Sequence, residues 1–289
     1  MSNQARDWSR DERVGTRVGE YVIDTLVGVG GMGSVYGATA ANGTRVALKI
    51  VKPDLARDEQ FRRRFAREAK IARMVINPHV VAVLDTGEHE GLPYLAEQFI
   101  EGVSLEQKLR REGRLDVPTT VKICVQVGEG LRALWEAGMV HRDIKPGNIL
   151  IDRKGKSYIT DFGLAKDTQG SVLTQPGQAI GSLDYMAPEQ IRGEDVTAAA
   201  DVYSLGCVMF ECMQGKPPFA DREGLRALWA HLQDEPPDPG AGRNDAPREF
   251  IQALKAALRK DPTQRPASTV LYAASLKKAA GIQFACAAR

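Results

Sequence analysis

The sequence predicts an α+β protein, and three observations carry that expectation. The first hundred residues hold about five strand-like runs and a single amphipathic helix. From Ser104 onward the apolar residues recur at helical spacing. Within that helical part lies a polar loop followed by a short hairpin, residues 141–161, which gathers carboxylates, an ammonium and a carboxamide.

In chain order, residues 1–17 are charged and lack periodicity, so they read as a flexible arm, with Trp8 a side chain able to dock elsewhere. Residues 21–27 are strand-like, and Gly28-Val29-Gly30-Gly31-Met32-Gly33 follows. That Gly-x-Gly-x-x-Gly pattern serves two unrelated classes. In a dinucleotide-binding fold it opens a helix, with an acidic residue about 20 positions on. Asp54 stands at a suitable distance, but residues 35–39 do not start a helix, and Asn42-Gly43 is a hairpin turn. Residues 45–51 then form another strand, so the glycines lie between two strands.

Lys49 sits inside that apolar run, where a charge is costly without a partner. The expected partner is Glu68. It borders the apolar face of a helix over residues 59–75, marked by Phe61, Phe65, Ala69, Ala72 and Val75. Arg62, Arg63, Arg64 and Arg67 beside it read mainly as solvated surface. Residues 80–84 and 92–96 are two more strands, separated by a polar loop containing His89. Residues 97–102 read as a connection. Ser104 with Gln107 is a capping box, and residues 118–138 form an amphipathic helix ending at Gly138.

Next comes His141-Arg142-Asp143-Ile144-Lys145-Pro146-Gly147-Asn148-Ile149-Leu150. Pro146 and Gly147 forbid a regular helix or a central strand, so the polar groups sit on a tight loop. Residues 148–152 and 158–160 are short strands joined at Lys154-Gly155, a hairpin that returns Asp161 towards Asn148. Asn148 and Asp161 are hard oxygen ligands of the kind Mg2+ takes. Lys145 is a point charge for a phosphoryl oxygen, and Asp143 remains to accept a hydroxyl proton. That is a phosphoryl-transfer constellation, in which catalysis is positioning and charge neutralisation. The competing reading is a polar surface hairpin with incidental Asp and Asn.

Beyond Asp161-Phe162-Gly163, residues 164–185 are polar and without periodicity, and so long a stretch inside a compact domain is usually functional. Asp201 opens a strongly apolar helix, prolines punctuate the later loops, and the last helix ends near Ala280.

The string at residues 141–150 with Asp161-Phe162-Gly163 resembles the catalytic loop and metal-binding motif of protein kinases, and Lys145 is similar to Ser/Thr kinases rather than tyrosine kinases. Ala187-Pro188-Glu189 and Arg265 match the family's segment boundary and its partner arginine, and Gly181-Ser182 resembles bacterial kinases of the eukaryotic-like type. The resemblance spans about residues 20–280. It implies a bilobal fold, with a small lobe of antiparallel sheet and one helix (about residues 18–97), a hinge (98–102) and a mainly helical large lobe (103–280), followed by a tail (281–289). ATP would lie in the cleft between the lobes. The glycine loop would cover its phosphates, Lys49 held by Glu68 would contact the α- and β-phosphates, and Val35, Ala47, Gln98, Ile100 and Leu150 would surround adenine. Asp143 and Lys145 would act on the acceptor and the phosphoryl group. Asn148 and Asp161 would bind Mg2+ (or Mn2+). A buried Asp201 would anchor the catalytic loop.

Arg142 precedes Asp143, which in this family implies activation by phosphorylation, here expected at Thr174. Two positions depart from the pattern. Ser182 replaces a usual threonine but keeps the hydroxyl. Glu97 stands at the back of the adenine pocket, where an apolar or Thr side chain is usual. A pseudokinase is the competing class, and a small-molecule kinase is disfavoured by residues 164–190, which look like a platform for protein substrates. Expected partners are protein substrates and a second copy for phosphorylation in trans.

Composition agrees. Apolar residues make up 43%, and 39 basic minus 37 acidic residues leave a formal charge of +2, which does not suit a chain built mainly to bind nucleic acid. Cys124, Cys207, Cys212 and Cys286 show no metal-ligand spacing and fit a reducing cytosol. No apolar run is long enough to span a membrane, and the N-terminus is not a secretory signal, so a cytoplasmic location is expected.

Overall fold

The computed structural model describes residues 11–162 and 180–283. Trp8, Thr174 and Cys286 lie outside them. The chain falls into two compact units, Met1–Ile76 with Val81–Glu101, and Asn77–Val80 with Gly102–Arg289.

The first unit is built on an antiparallel sheet of strands β1 (Arg17–Val18), β2 (Tyr21–Val29), β3 (Gly33–Ala40) and β4 (Arg45–Val51), with β5 (Val83–His89) and β6 (Leu92–Gln98) following two helices. Its order is β1-β2-β3-β4-β6-β5. Alternation sets one face: Ile23, Tyr36, Leu48 and Ala96 are among the side chains that form a buried cluster. Asn42-Gly43 closes the β3–β4 hairpin, with Asn42 Oδ1 accepting from Thr44 N at 2.9 Å and Gly43 at φ 82°. The β5–β6 turn puts both Glu90 (φ 50°) and Gly91 (φ 77°) in the left-handed region that such turns need.

Helix α1 (Pro53–Ala56) is one short turn, and α2 (Glu59–Ala72) carries the predicted apolar face, with Phe61, Phe65, Ala69 and Ala72 buried. Asp58 caps α2 by accepting from Gln60 N (2.9 Å) and Phe61 N (3.2 Å). Val75 is buried as expected, but it follows the helix rather than belonging to it. Residues 11–17 are not the free arm the sequence suggests. Gly15 N donates to Ile23 O at 2.8 Å, Tyr36 Oη donates to Asp11 at 3.3 Å, and Val14 packs on the core cluster.

The second unit holds β7 (Gly102–Ser104), α3 (Leu105–Glu112), α4 (Val117–Glu136), β8 (Ile149–Asp152), β9 (Ser157–Ile159), α5 (Pro188–Arg192), α6 (Ala198–Gln214), α7 (Leu225–Gln233), α8 (Arg248–Ala257) and α9 (Thr269–Ala279). The Ser104–Gln107 capping box forms in both directions, at 3.1 and 3.2 Å. Helix α6 is buried continuously from Ala200 to Met213, including Cys207 and Cys212, so it forms the centre of the unit. No described helix is long and apolar enough to cross a membrane.

The sheet of this unit has the order β7-β8-β9. Strand β7 occupies what reads in sequence as connection. Gly102 permits it, because a Cβ there would lie 2.0 Å from Ile151 O. The strand expected over residues 80–84 starts later, at Val83. Val80 instead bridges Ile159 in the second unit, where Ile159 N donates to His79 O at 2.8 Å.

Candidate active site

Loop 141–148 leaves α4 after Gly138, whose φ of 79° ends the helix. Asp201, near the start of α6 and 3% exposed, fixes the loop from beneath. Its Oδ2 accepts from His141 N and its Oδ1 from Arg142 N, each at 2.9 Å. The clamp holds Arg142 at φ 64°, a left-handed conformation that costs a non-glycine residue about 1 kcal/mol or more. Gln190 Nε2 adds a bond to Arg142 O at 3.0 Å.

His141 ties the loop to the second carboxylate. Its Nδ1 accepts from Asp143 N (3.3 Å), so the ring proton is on Nε2, which donates to Thr160 O (3.1 Å). Burial lowers its pKa, which keeps the ring neutral and suited to both bonds. Asp161 follows Thr160 directly and also takes a left-handed φ, 61°. Thr160 N donates to Asn148 O at 3.1 Å, so the hairpin returns Asp161 to the level of Asn148, as its sequence suggests.

Asp143 is held on two sides. Lys145 Nζ lies 3.0 Å from Asp143 Oδ2. Asn148 Nδ2 donates to Asp143 O (2.8 Å) and to Oδ2 (3.1 Å). Asn148 thus uses its amide nitrogen to orient the aspartate and keeps its carbonyl oxygen as the hard donor a metal takes. Asp143, Lys145, Asn148 and Asp161 therefore lie on one loop and hairpin of the second unit. Leu150, in β8, is half-buried.

In the first unit, Gly30 N donates to Gly33 O (2.8 Å) to close the glycine loop between β2 and β3. Gly33 is sterically required, since a Cβ there would lie 1.9 Å from Ile50 O. Gly28 and Gly31 have open space where a Cβ would be. Backbone with such open space beside it fits the approach of a phosphate chain. The register pairs Val35 with Lys49 and Ala47 with Glu97, which puts these four on one face of the sheet, opposite the core cluster. Lys49 and Glu97 are each 5% exposed. Glu68 stands half-buried on α2, while Gln98 is exposed and Ile100 half-buried.

His141 and Gln190 were not among the residues predicted for the site. Each reaches a backbone carbonyl distant in sequence, Thr160 O for His141 and Arg142 O for Gln190, and no spacing rule signals that. Glu189 and Arg265 do pair, at 2.6 and 2.8 Å, and both are buried.

The protein kinase domain family matches residues 21–276. The serine/threonine-protein kinase PknH of Mycobacterium bovis is 40% identical over 262 residues, covering 90% of this chain and 44% of that protein. PknE of Mycobacterium tuberculosis is 40% identical over 260 residues, covering 90% of this chain and 46% of that protein. The chain thus spans less than half the length of these curated relatives. The crystal structure of the Mycobacterium tuberculosis PknI kinase domain superposes with a TM-score of 0.75 at 29% identity, covering 93% of this chain and 99% of that one. This chain belongs to the protein kinase family and has its fold.

Proposed function

We propose that the chain is a Ser/Thr protein kinase domain that transfers the γ-phosphoryl group of ATP to protein hydroxyls. The family uses ATP with a divalent metal, and Mg2+ (or Mn2+) suits the oxygen donors here. The observation that carries this reading is the Lys145–Asp143–Asn148 group on a loop clamped by Asp201. The metal, when bound, supplies charge neutralisation on the phosphates; Asn148 and Asp161 would hold it. Asp143 orients the acceptor hydroxyl and takes its proton. Lys145 opposes negative charge beside it. Lys49, held by Glu68, takes the α- and β-phosphates, and Val35, Ala47, Gln98, Ile100 and Leu150 take the base. The small lobe, hinge and large lobe are proposed at residues 18–97, 98–102 and 103–280.

The same reading includes activation by phosphorylation at Thr174, with Arg142 as a partner for the phosphate, exchange of phosphate between two copies, and a cytoplasmic location. A phosphate adds about −1.5 to −2 charges, enough for about one to three charge-assisted hydrogen bonds. Thr174→Ala should then slow substrate phosphorylation without lowering the melting temperature.

The direct experiment is incubation with γ-labelled ATP and Mg2+, followed by phosphoamino-acid analysis. Label should appear on Ser or Thr and disappear when a chelator removes the metal. Nucleotide binding with no transfer, to itself or to any protein, would instead make the chain a pseudokinase.

A further inference from the structure

The sheet of the first unit carries two buried charges. Among the described residues of that unit, Lys49 in β4 and Glu97 in β6 are the buried charged side chains, each 5% exposed. They are of opposite sign, lie on neighbouring strands and share the face opposite the core cluster. The register sets their spacing. Lys49 pairs with Leu95 and Ala47 pairs with Glu97, so the two charges stand at diagonal positions on that face. Diagonal neighbours in an antiparallel pair lie about 7–8 Å apart, within reach of long side chains. Directly across the strands the neighbours are apolar: Val35 and Leu95 flank Lys49, and Ala47 and Val83 flank Glu97.

A buried ammonium or carboxylate is costly unless an opposite charge stands within reach. Here the strand register supplies each to the other. Both are fixed by the hydrogen-bonded ladder of β4 and β6, whereas Glu68, half-buried, stands on helix α2. With Glu68 as the partner expected for Lys49, one ammonium serves two carboxylates. A phosphate chain then has to compete for it, and the second carboxylate opposes the phosphate charge where water screens little.

We propose that Glu97 is a positioning residue for Lys49, which holds the ammonium to the sheet and weakens Mg-ATP binding by competing with the phosphates for it. The proposal rests on the kinase reading given above, which assigns the α- and β-phosphates to Lys49. Glu97 acts through Lys49 and not on the reacting atoms, so its influence on the nucleotide disappears when Lys49 is gone.

Two measurements on the purified chain test this. The first compares melting midpoints of Lys49→Met, Glu97→Met and the double variant. Each single change strands one buried charge and should lower the midpoint. The double change removes both charges and should melt above either single variant, because apolar side chains of similar volume avoid the desolvation cost. A loss in the double variant equal to the sum of the single losses overturns the proposal. The second measurement is the Kd of Mg-ATP by calorimetry, with KM and kcat beside it. Glu97→Gln keeps the shape of the side chain and removes its charge. It should lower Kd and KM by about tenfold, the scale of one charge-assisted hydrogen bond, while kcat does not rise. Made in Lys49→Met, the same change should leave Kd where it was. An unchanged or raised Kd in Glu97→Gln overturns the proposal, and so does equal tightening with and without Lys49. Failure of the wild type to bind Mg-ATP would instead remove the kinase reading, and the nucleotide role of Glu97 with it, whatever the melting curves show.

Discussion

Asp201 shows how one side chain sets the site. Its two oxygens satisfy two consecutive backbone N–H groups and hold Arg142 in an unfavourable conformation. Asp201→Ala leaves both donors without an acceptor, the His141 N–H fully buried and the Arg142 N–H partly so, at about 1–3 kcal/mol each. We expect a urea midpoint shifted by a loss of roughly 2–5 kcal/mol, with phosphoryl transfer falling further than stability alone explains. Glu211 gives a second prediction at this scale. Its folded pKa is pushed up to about 7 by burial, above the ordinary 4.5. Between those values the folded state keeps a proton that the unfolded state has lost, so stability falls as pH rises through that window. Glu211→Gln should therefore be more stable than the wild type at about pH 8, by on the order of 2–3 kcal/mol, and the advantage should vanish at about pH 4. Denaturant titrations at both pH values check this, and a gain independent of pH would contradict it. At this scale the sequence singles out Asp143 and Asn148 by residue type and spacing, whereas the anchoring by Asp201 was expected from the resemblance alone. It is silent about Gln190, whose amide serves a carbonyl 48 positions away.

At the level of elements, the glycine loop separates two kinds of glycine. Gly33→Ala should drive a methyl group into the β4 backbone and lower stability by about 1–3 kcal/mol. Gly31→Ala meets open space and should leave the melting temperature nearly unchanged, so any loss of phosphoryl transfer in that variant reports on nucleotide binding rather than on folding. Differential scanning fluorimetry of the two variants makes the comparison. Long elements with a period, such as α2, α4 and α6, were legible in sequence, as were the capping box and the Asn42-Gly43 turn. Strands β1 and β7, of two and three residues, are too short to show alternation and exist only through pairing with β2 and β8. The strand predicted over residues 80–84 begins only at Val83, and Val80 instead forms a bridge to Ile159.

Across the whole molecule, order depends on a few buried polar junctions that join distant segments. Arg265 is the clearest. Its guanidinium bonds both oxygens of Glu189 and the carbonyls of Arg259, Ala199 and Lys260. It also lies over the Tyr203 ring, with 4.9 Å between Cζ and the ring centroid. Arg265→Ala strands a buried carboxylate and should cost about 3–5 kcal/mol, read as a lowered unfolding midpoint. That pairing was expected from the resemblance alone, since nothing in 76 residues of separation reveals it physically. On the proposed function, Asp143 serves phosphoryl transfer rather than folding. The most direct measurement is the rate of label transfer from γ-labelled ATP by Asp143→Asn beside the wild type, with both melting curves recorded. A loss of at least about 10² in rate with an unchanged melting temperature is expected. Wild-type turnover in the folded variant would contradict it.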